Sequence, residues 1–178
     1  PDGGASAPTA FDWNGRSIFI GSSTGGVEAL DTVLQGFPAN CPPTVIAQHM
    51  PRNFIESFTE RLDGRYPFSV RIAAEGERLA QGVVYFAPGG DSDLRVVGGR
   101  RPRLSIVPHV ADLAYCPSVD LLLRSAADLG EAAVGGILTG MGRDGAEALL
   151  LMRKAGAHTI VQDEATSVVY GMPRAAAE

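Results

Sequence analysis

The sequence predicts an α/β fold: a doubly wound, mostly parallel sheet with helices on both faces and an antiparallel hairpin extension. Three observations predict it. Short apolar runs alternate with amphipathic stretches along the chain, the order of strand–helix–strand units. Runs such as VIAQ and VGGILTG would be apolar on both faces of a strand, as strands covered by helices on each side are. The segment from Ser69 to Val107 carries several strand patterns and no convincing helix, so an antiparallel hairpin prolonging one sheet edge is expected there.

Residues 1–16, PDGGASAPTAFDWNGR, are rich in Pro, Gly, Ala and Ser without periodicity and read as a linker or flexible tail. The domain is expected over residues 17–178. Its strands are expected at Ser17–Gly21, Thr44–Gln48, Ser69–Ala73, Val83–Ala87, Leu94–Val97, Leu104–Val107, Val134–Leu138 and Thr159–Gln162. Helices are expected at Gly26–Gln35, Asn53–Leu62, Ser118–Leu129 and Ala146–Ala155. In the second helix, Phe54, Ile55, Phe58 and Leu62 make one apolar face; in the third, Val119, Leu122, Leu123, Ala126 and Ala127 do so.

Bulk properties remove several function classes. The 178 residues suit one core, and 45% hydrophobic with 20% charged residues is ordinary globular composition. A net charge of −5 gives no electrostatic grip on nucleic acid. No apolar stretch reaches the roughly 18 residues of a membrane span, so no membrane insertion is expected. The two cysteines, Cys41 and Cys116, are far apart and too few for a disulfide framework or a cysteine metal site; reduced thiols and a cytoplasmic location are expected.

Three polar clusters fall at strand ends, where ligands bind in doubly wound folds. The first is GSSTGG, residues 21–26. A serine at a strand-to-helix corner faces the first-turn N–H groups, so the corner suits a nucleophile, an anion site or simple helix capping. It matches neither GxGxxG nor GxxxxGK[ST]. The second cluster is QHMP, placing His49 where an apolar strand ends; histidine is the side chain suited to moving a proton near neutrality. The third is LTGMGRDGA, in which Asp144 either caps the following helix or orients a base. His109 and His158 make poorer partners. One serine, one histidine and one aspartate at the same end of one sheet are the set that nucleophilic acyl transfer needs. The order Ser, His, Asp and the absence of GxSxG speak against an ordinary α/β-hydrolase.

These residues resemble the catalytic domain of chemotaxis-type protein-glutamate methylesterases, the CheB family. The matching stretches are IGSSTGGVEAL, VIAQHMPRNFIESFTERL, VVYFAPGG, PSVDLLLRSAA and GGILTGMGRDGAEALLLMRKAGAHTIVQDEATSVVYGMPRAA, from about Ile18 to Ala176. The resemblance implies Ser23, the serine before TGG, as nucleophile, where alternation alone leaves Ser22 and Ser23 open. It implies His49 as base and Asp144 as its partner. Thr24, Gly25 and Met141 then fall at oxyanion or substrate-positioning places. The chain departs from the family pattern at GGDSDL, where a histidine is common, and at AYCPSVD, where a basic or histidine-containing segment is common.

What the resemblance implies is hydrolysis of glutamyl methyl esters on the cytoplasmic helices of methyl-accepting chemoreceptors through an acyl-enzyme, and deamidation of glutamine side chains. No metal or organic cofactor is implied. Arg52, Arg65 and Arg143 are candidates for contact with acidic receptor side chains. An N-terminal receiver domain is a usual companion, so either a catalytic fragment or a stand-alone member is expected. The alternative is a non-catalytic phosphate- or nucleotide-binding module built on GSSTGG.

Overall fold

The computed structural model describes residues 11–178. Its strands are β1 (Ser17–Ser22), β2 (Thr44–Gln48), β3 (Ser69–Ile72), β4 (Val83–Phe86), β5 (Ser92–Val97), β6 (Arg103–Pro108), β7 (Ala133–Ile137) and β8 (His158–Val161). Helices are α1 (Gly26–Gln35), α2 (Arg52–Asp63), α3 (Val119–Ala126), α4 (Ala146–Lys154) and α5 (Met172–Ala177). Six strands form one parallel sheet in the order β3-β4-β2-β1-β7-β8, and β5 and β6 pair with each other in a separate antiparallel sheet.

The sheet is buried on both faces, which is why its strands read as unbroken apolar runs. Phe19, Val45 and Tyr85 point to one face and pack with Leu122 and Leu123 of α3 and Leu149 and Met152 of α4. Ile20, Ile46 and Phe86, each one residue further along, point to the other face. There they meet Leu30 and Leu34 of α1 and Ile55, Phe58 and Leu62 of α2. Leu122 has no exposed surface. Leu122→Ala should therefore cost about 2–5 kcal/mol, seen as a lower urea midpoint at unchanged m.

The fold class stands as expected, with four local differences. The hairpin β5–β6 does not prolong the main sheet; Leu94, Val96 and Leu104 pack into the core beside α3. Strands β3 and β4 are parallel neighbours although no helix joins them. The crossover between them is held by the buried Tyr85, whose hydroxyl donates to the Arg78 carbonyl at 3.0 Å and accepts the Ala80 N–H at 3.2 Å. The third helix stops at Ala126 and tightens into a 3-10 segment, Ala127–Ala132, broken by Gly130 at φ +52°. Lastly, α5 carries no apolar period and starts on Gly-Met-Pro; burial of Met172 and Pro173 anchors it.

The tail expected over residues 1–16 lies partly outside the described residues. Within them, residues 11–16 are irregular and exposed, and Asn40 holds Phe11 through both its amide atoms, at 2.9 and 2.7 Å.

Among the described residues no helix is long and apolar enough to cross a membrane. Strand β1 sits between β2 and β7, so the chain winds outward in one direction through β2 and in the other through β7. This is the topological switch point, and the loops beyond the carboxyl ends of β1, β2 and β7 are where such sheets bind ligands.

Candidate active site

All three polar clusters lie at that switch point. Parallel pairing sets Ser22 opposite Gln48, so Ser23 and His49 are the next residues beyond the ends of neighbouring strands. The His49 N–H donates to the Ser22 carbonyl at 3.0 Å, fixing this register past the sheet.

The two serines of the corner have different surroundings. Ser22 is fully buried, and its hydroxyl donates to Gln48 Oε1 at 2.5 Å. Ser23 is partly exposed. Its N–H donates to the Thr139 carbonyl at 3.0 Å, and its carbonyl accepts the Gly26 N–H at 2.8 Å. Capping does not account for the hydroxyls: the N-cap of α1 is Gly25 at φ +82°, with no side-chain cap bond. Gly25 must be glycine twice over, because a Cβ there would also lie 2.5 Å from Val168 Cβ. Among the described residues, the N–H groups of Thr24, Gly25 and Met141 make no bond within the protein. Thr24 and Met141 are exposed.

His49 is nearly buried. Its Nε2 lies 2.7 Å from Asp144 Oδ2, with side-chain exposures of 8% and 10% for the pair. Its Nδ1 is buried without a partner, an arrangement that a native site rarely tolerates without a use. With Nε2–H donating to the carboxylate, Nδ1 carries the free lone pair of the neutral ring. Among the described residues no hydrogen bond joins His49 to Ser23.

Asp144 does not cap its own helix: the N-cap of α4 is Gly145, in a left-handed conformation. Instead its carboxylate receives the first turn of α3. Oδ2 accepts the Val119 N–H at 2.8 Å and Oδ1 accepts the Asp120 N–H at 2.9 Å. A helix N-terminus is a natural seat for a carboxylate. It aims the second lone pair of Oδ2 at His49. The glycines of LTGMG serve close approach, since a Cβ on Gly140 would lie 2.8 Å from Ser23 Cβ.

Three positioning residues escape sequence reasoning. Gln48 is buried, and its Nε2 donates to the Ser23 carbonyl at 2.9 Å and the His49 carbonyl at 3.2 Å, while Oε1 holds Ser22. One amide thus ties both corners together. Gln48→Leu should strand these buried groups and cost about 1–3 kcal/mol in a denaturant titration. Thr139 is also buried; its hydroxyl donates to the Thr24 carbonyl at 2.9 Å and accepts the Val169 N–H at 2.9 Å. Tyr115 stacks on the His49 ring, centroids 4.3 Å apart and planes inclined by 12°. A polar residue at the last position of an apolar strand was the available signal for Gln48. Tyr115 gave none, because its loop is distant in sequence.

Of the three arginines singled out, Arg52 pairs with Glu56 at 3.1 Å and Arg65 with Asp31 at 2.9 Å. Arg143 makes no ion pair among the described residues and is exposed one residue before Asp144.

The result is a doubly wound α/β domain whose switch-point loops carry a serine corner, a histidine–aspartate pair and free backbone N–H groups. Residues 18–178 match the family described as CheB methylesterase. The chain is 56% identical over 177 residues to a protein-glutamate methylesterase/protein-glutamine glutaminase of Rhizobium etli, covering 98% of this chain and 51% of that protein. A protein of the same description from Caulobacter vibrioides, numbered 1, is 54% identical, covering 97% and 52%. The crystal structure of the Thermotoga maritima CheB methylesterase catalytic domain superposes with a TM-score of 0.86 at 34% identity, covering 93% of this chain and 88% of that one. This chain belongs to the CheB methylesterase family. It spans about half the length of the curated relatives it matches.

Proposed function

We propose that this chain hydrolyses glutamyl methyl esters on the cytoplasmic helices of methyl-accepting chemoreceptors, in chemotaxis adaptation, with Ser23, His49 and Asp144 as a catalytic triad. The observation that carries the reading is the buried His49 ring, bonded to Asp144 through Nε2 and left with an orphaned Nδ1, on the residue that continues the strand register level with Ser23.

The reacting nitrogen is then Nδ1. Ser23 Oγ attacks the ester carbonyl as Nδ1 takes its proton, and Asp144 stabilises the imidazolium through Nε2–H. The mechanism requires rotation about the Ser23 Cα–Cβ bond, a fast motion for a partly exposed side chain, to make the missing hydrogen bond. Such bonds often tighten only when substrate is present. The free N–H groups of Thr24, Gly25 and Met141 are the candidate donors for the oxyanion; one such donor is worth about 3–4 kcal/mol of barrier. Protonated His49 returns its proton to the departing methoxide, and water repeats the sequence on the acyl-enzyme. None of these steps calls on a metal or organic cofactor.

The printed description of the relatives also includes a glutaminase, and the same residues suit deamidation with ammonia as leaving group. A receiver domain joined to this one is the companion expected of the longer relatives. The rival phosphate- or nucleotide-binding reading leaves His49 and Asp144 with only structural jobs. The test is mass spectrometry of methylated receptor peptides before and after incubation, beside a nucleotide titration. Loss of glutamyl methyl groups with release of methanol supports the esterase. Nucleotide binding with the methyl groups intact supports the rival.

A further inference from the structure

A second polar cluster lies behind the catalytic histidine, and it has no part in the chemistry above. Asp93 comes from β5, His109 follows β6, and Cys116 precedes α3. Asp93 is fully buried. Its Oδ1 accepts the Ser118 N–H at 2.7 Å, which fixes the carboxylate plane, and its Oδ2 lies 2.8 Å from His109 Nδ1. Cys116 Sγ sits 3.3 Å from the Ser92 carbonyl. One carboxylate oxygen, one imidazole nitrogen and the sulfur all lie within 4.8 Å of one another.

This donor set is specific in chemistry. A hard oxygen, a borderline nitrogen and a soft sulfur together suit zinc and its neighbours rather than calcium or magnesium. Zinc bonds of about 2.0–2.3 Å put tetrahedral ligand atoms roughly 3.3–3.8 Å apart, against 2.8 Å between Asp93 Oδ2 and His109 Nδ1 and at most 4.8 Å across the set here. The backbone bond to Asp93 Oδ1 is the kind of outer contact that orients a metal-binding carboxylate. Cys116 and Asp93 both lie in the stretches, AYCPSVD and GGDSDL, where this sequence departs from the family pattern.

We propose that Asp93, His109 and Cys116 form a site for one zinc-class divalent cation, with a fourth position open to water. On binding, the thiol proton leaves to solvent and the S–metal bond forms. The imidazole proton moves to Nε2, so that Nδ1 gives its lone pair to the metal. The site adjoins the catalytic groups on two sides. Tyr115, next to Cys116, stacks on His49, and Ser118, held by Asp93, begins the helix that seats Asp144.

The test does not depend on esterase activity. Cobalt(II) added to the whole chain should bind one equivalent and give a thiolate-to-metal charge-transfer band. Cys116→Ser should lose that band, and His109→Gln should weaken binding at least about tenfold. Absence of the band in the unaltered chain, or its persistence in Cys116→Ser, overturns the proposal. Should Cys116→Ser not fold, alkylation of the unaltered chain with peptide mapping decides. Zinc at about ten times its Kd should slow modification of Cys116 about tenfold, because only the free fraction reacts. An unchanged rate overturns the site.

Discussion

Ser23→Ala should abolish methanol release from methylated receptor, and Ser22→Ala should not. The two hydroxyls are adjacent in sequence but differ in surroundings. The Ser22 hydroxyl is buried and committed to Gln48, with no route to a substrate. Its loss leaves Gln48 Oε1 short of a donor and should cost about 1–3 kcal/mol of stability, with kcat/KM within a few-fold of the unaltered chain. The Ser23 hydroxyl caps no helix, so its removal should leave the melting temperature nearly unchanged. Loss of a nucleophile in a working triad costs on the order of 10⁶-fold in kcat. The pair of variants separates catalysis from architecture. Activity surviving in Ser23→Ala and vanishing in Ser22→Ala would move the nucleophile; activity surviving in both would remove serine from the mechanism.

What was legible in the sequence follows from which interactions are local. The bounds of β2, Thr44–Gln48, and of α1, Gly26–Gln35, were readable to the residue. Proline pairs or glycines punctuate their ends, and their apolar patterns are set by burial of both sheet faces. His49 and Asp144 could be singled out because each follows a strand and each has a side chain that few surface loops need at such a corner. The parallel pairing of β3 with β4 was not legible, since it depends on Tyr85 reaching back to Arg78 and Ala80 rather than on any periodic pattern. Nor was the job of Asp144. Capping the helix that follows it is the local reading, yet the helix it holds begins 25 residues earlier, at Val119. The same holds for the Tyr115–His49 stack, whose partners lie 66 residues apart in the chain.

Asp144 carries the second large effect, and its double role makes the expected results distinguishable. Replacing it with alanine frees His49 Nε2 and the N–H groups of Val119 and Asp120 together. Hydrogen bonds to a charged acceptor are worth about 1.5–3 kcal/mol each, so Asp144→Ala should lower stability by at least about 2–3 kcal/mol as well as remove activity. Asp144→Asn keeps the shape and one acceptor oxygen. With its oxygen at the Oδ1 place it keeps the Asp120 N–H and turns its own N–H toward Val119 and the imidazole; with its oxygen at the Oδ2 place it keeps Val119 and His49 and turns N–H toward Asp120. In the first arrangement the imidazole loses its acceptor and α3 keeps the Asp120 bond. The rate should then fall by roughly 10⁴-fold, as when a triad carboxylate is lost. Ser118→Ala supplies the contrast, because that hydroxyl caps the same helix by accepting the Leu121 N–H and, among the described residues, makes no hydrogen bond to His49. It should cost about 1 kcal/mol with the rate nearly intact. A stable, fully active Asp144→Asn would show that a neutral acceptor serves His49 as well, and would remove the carboxylate's charge from the mechanism. A stable, inactive one would tie the rate to the orientation and charge of the imidazole rather than to the integrity of α3.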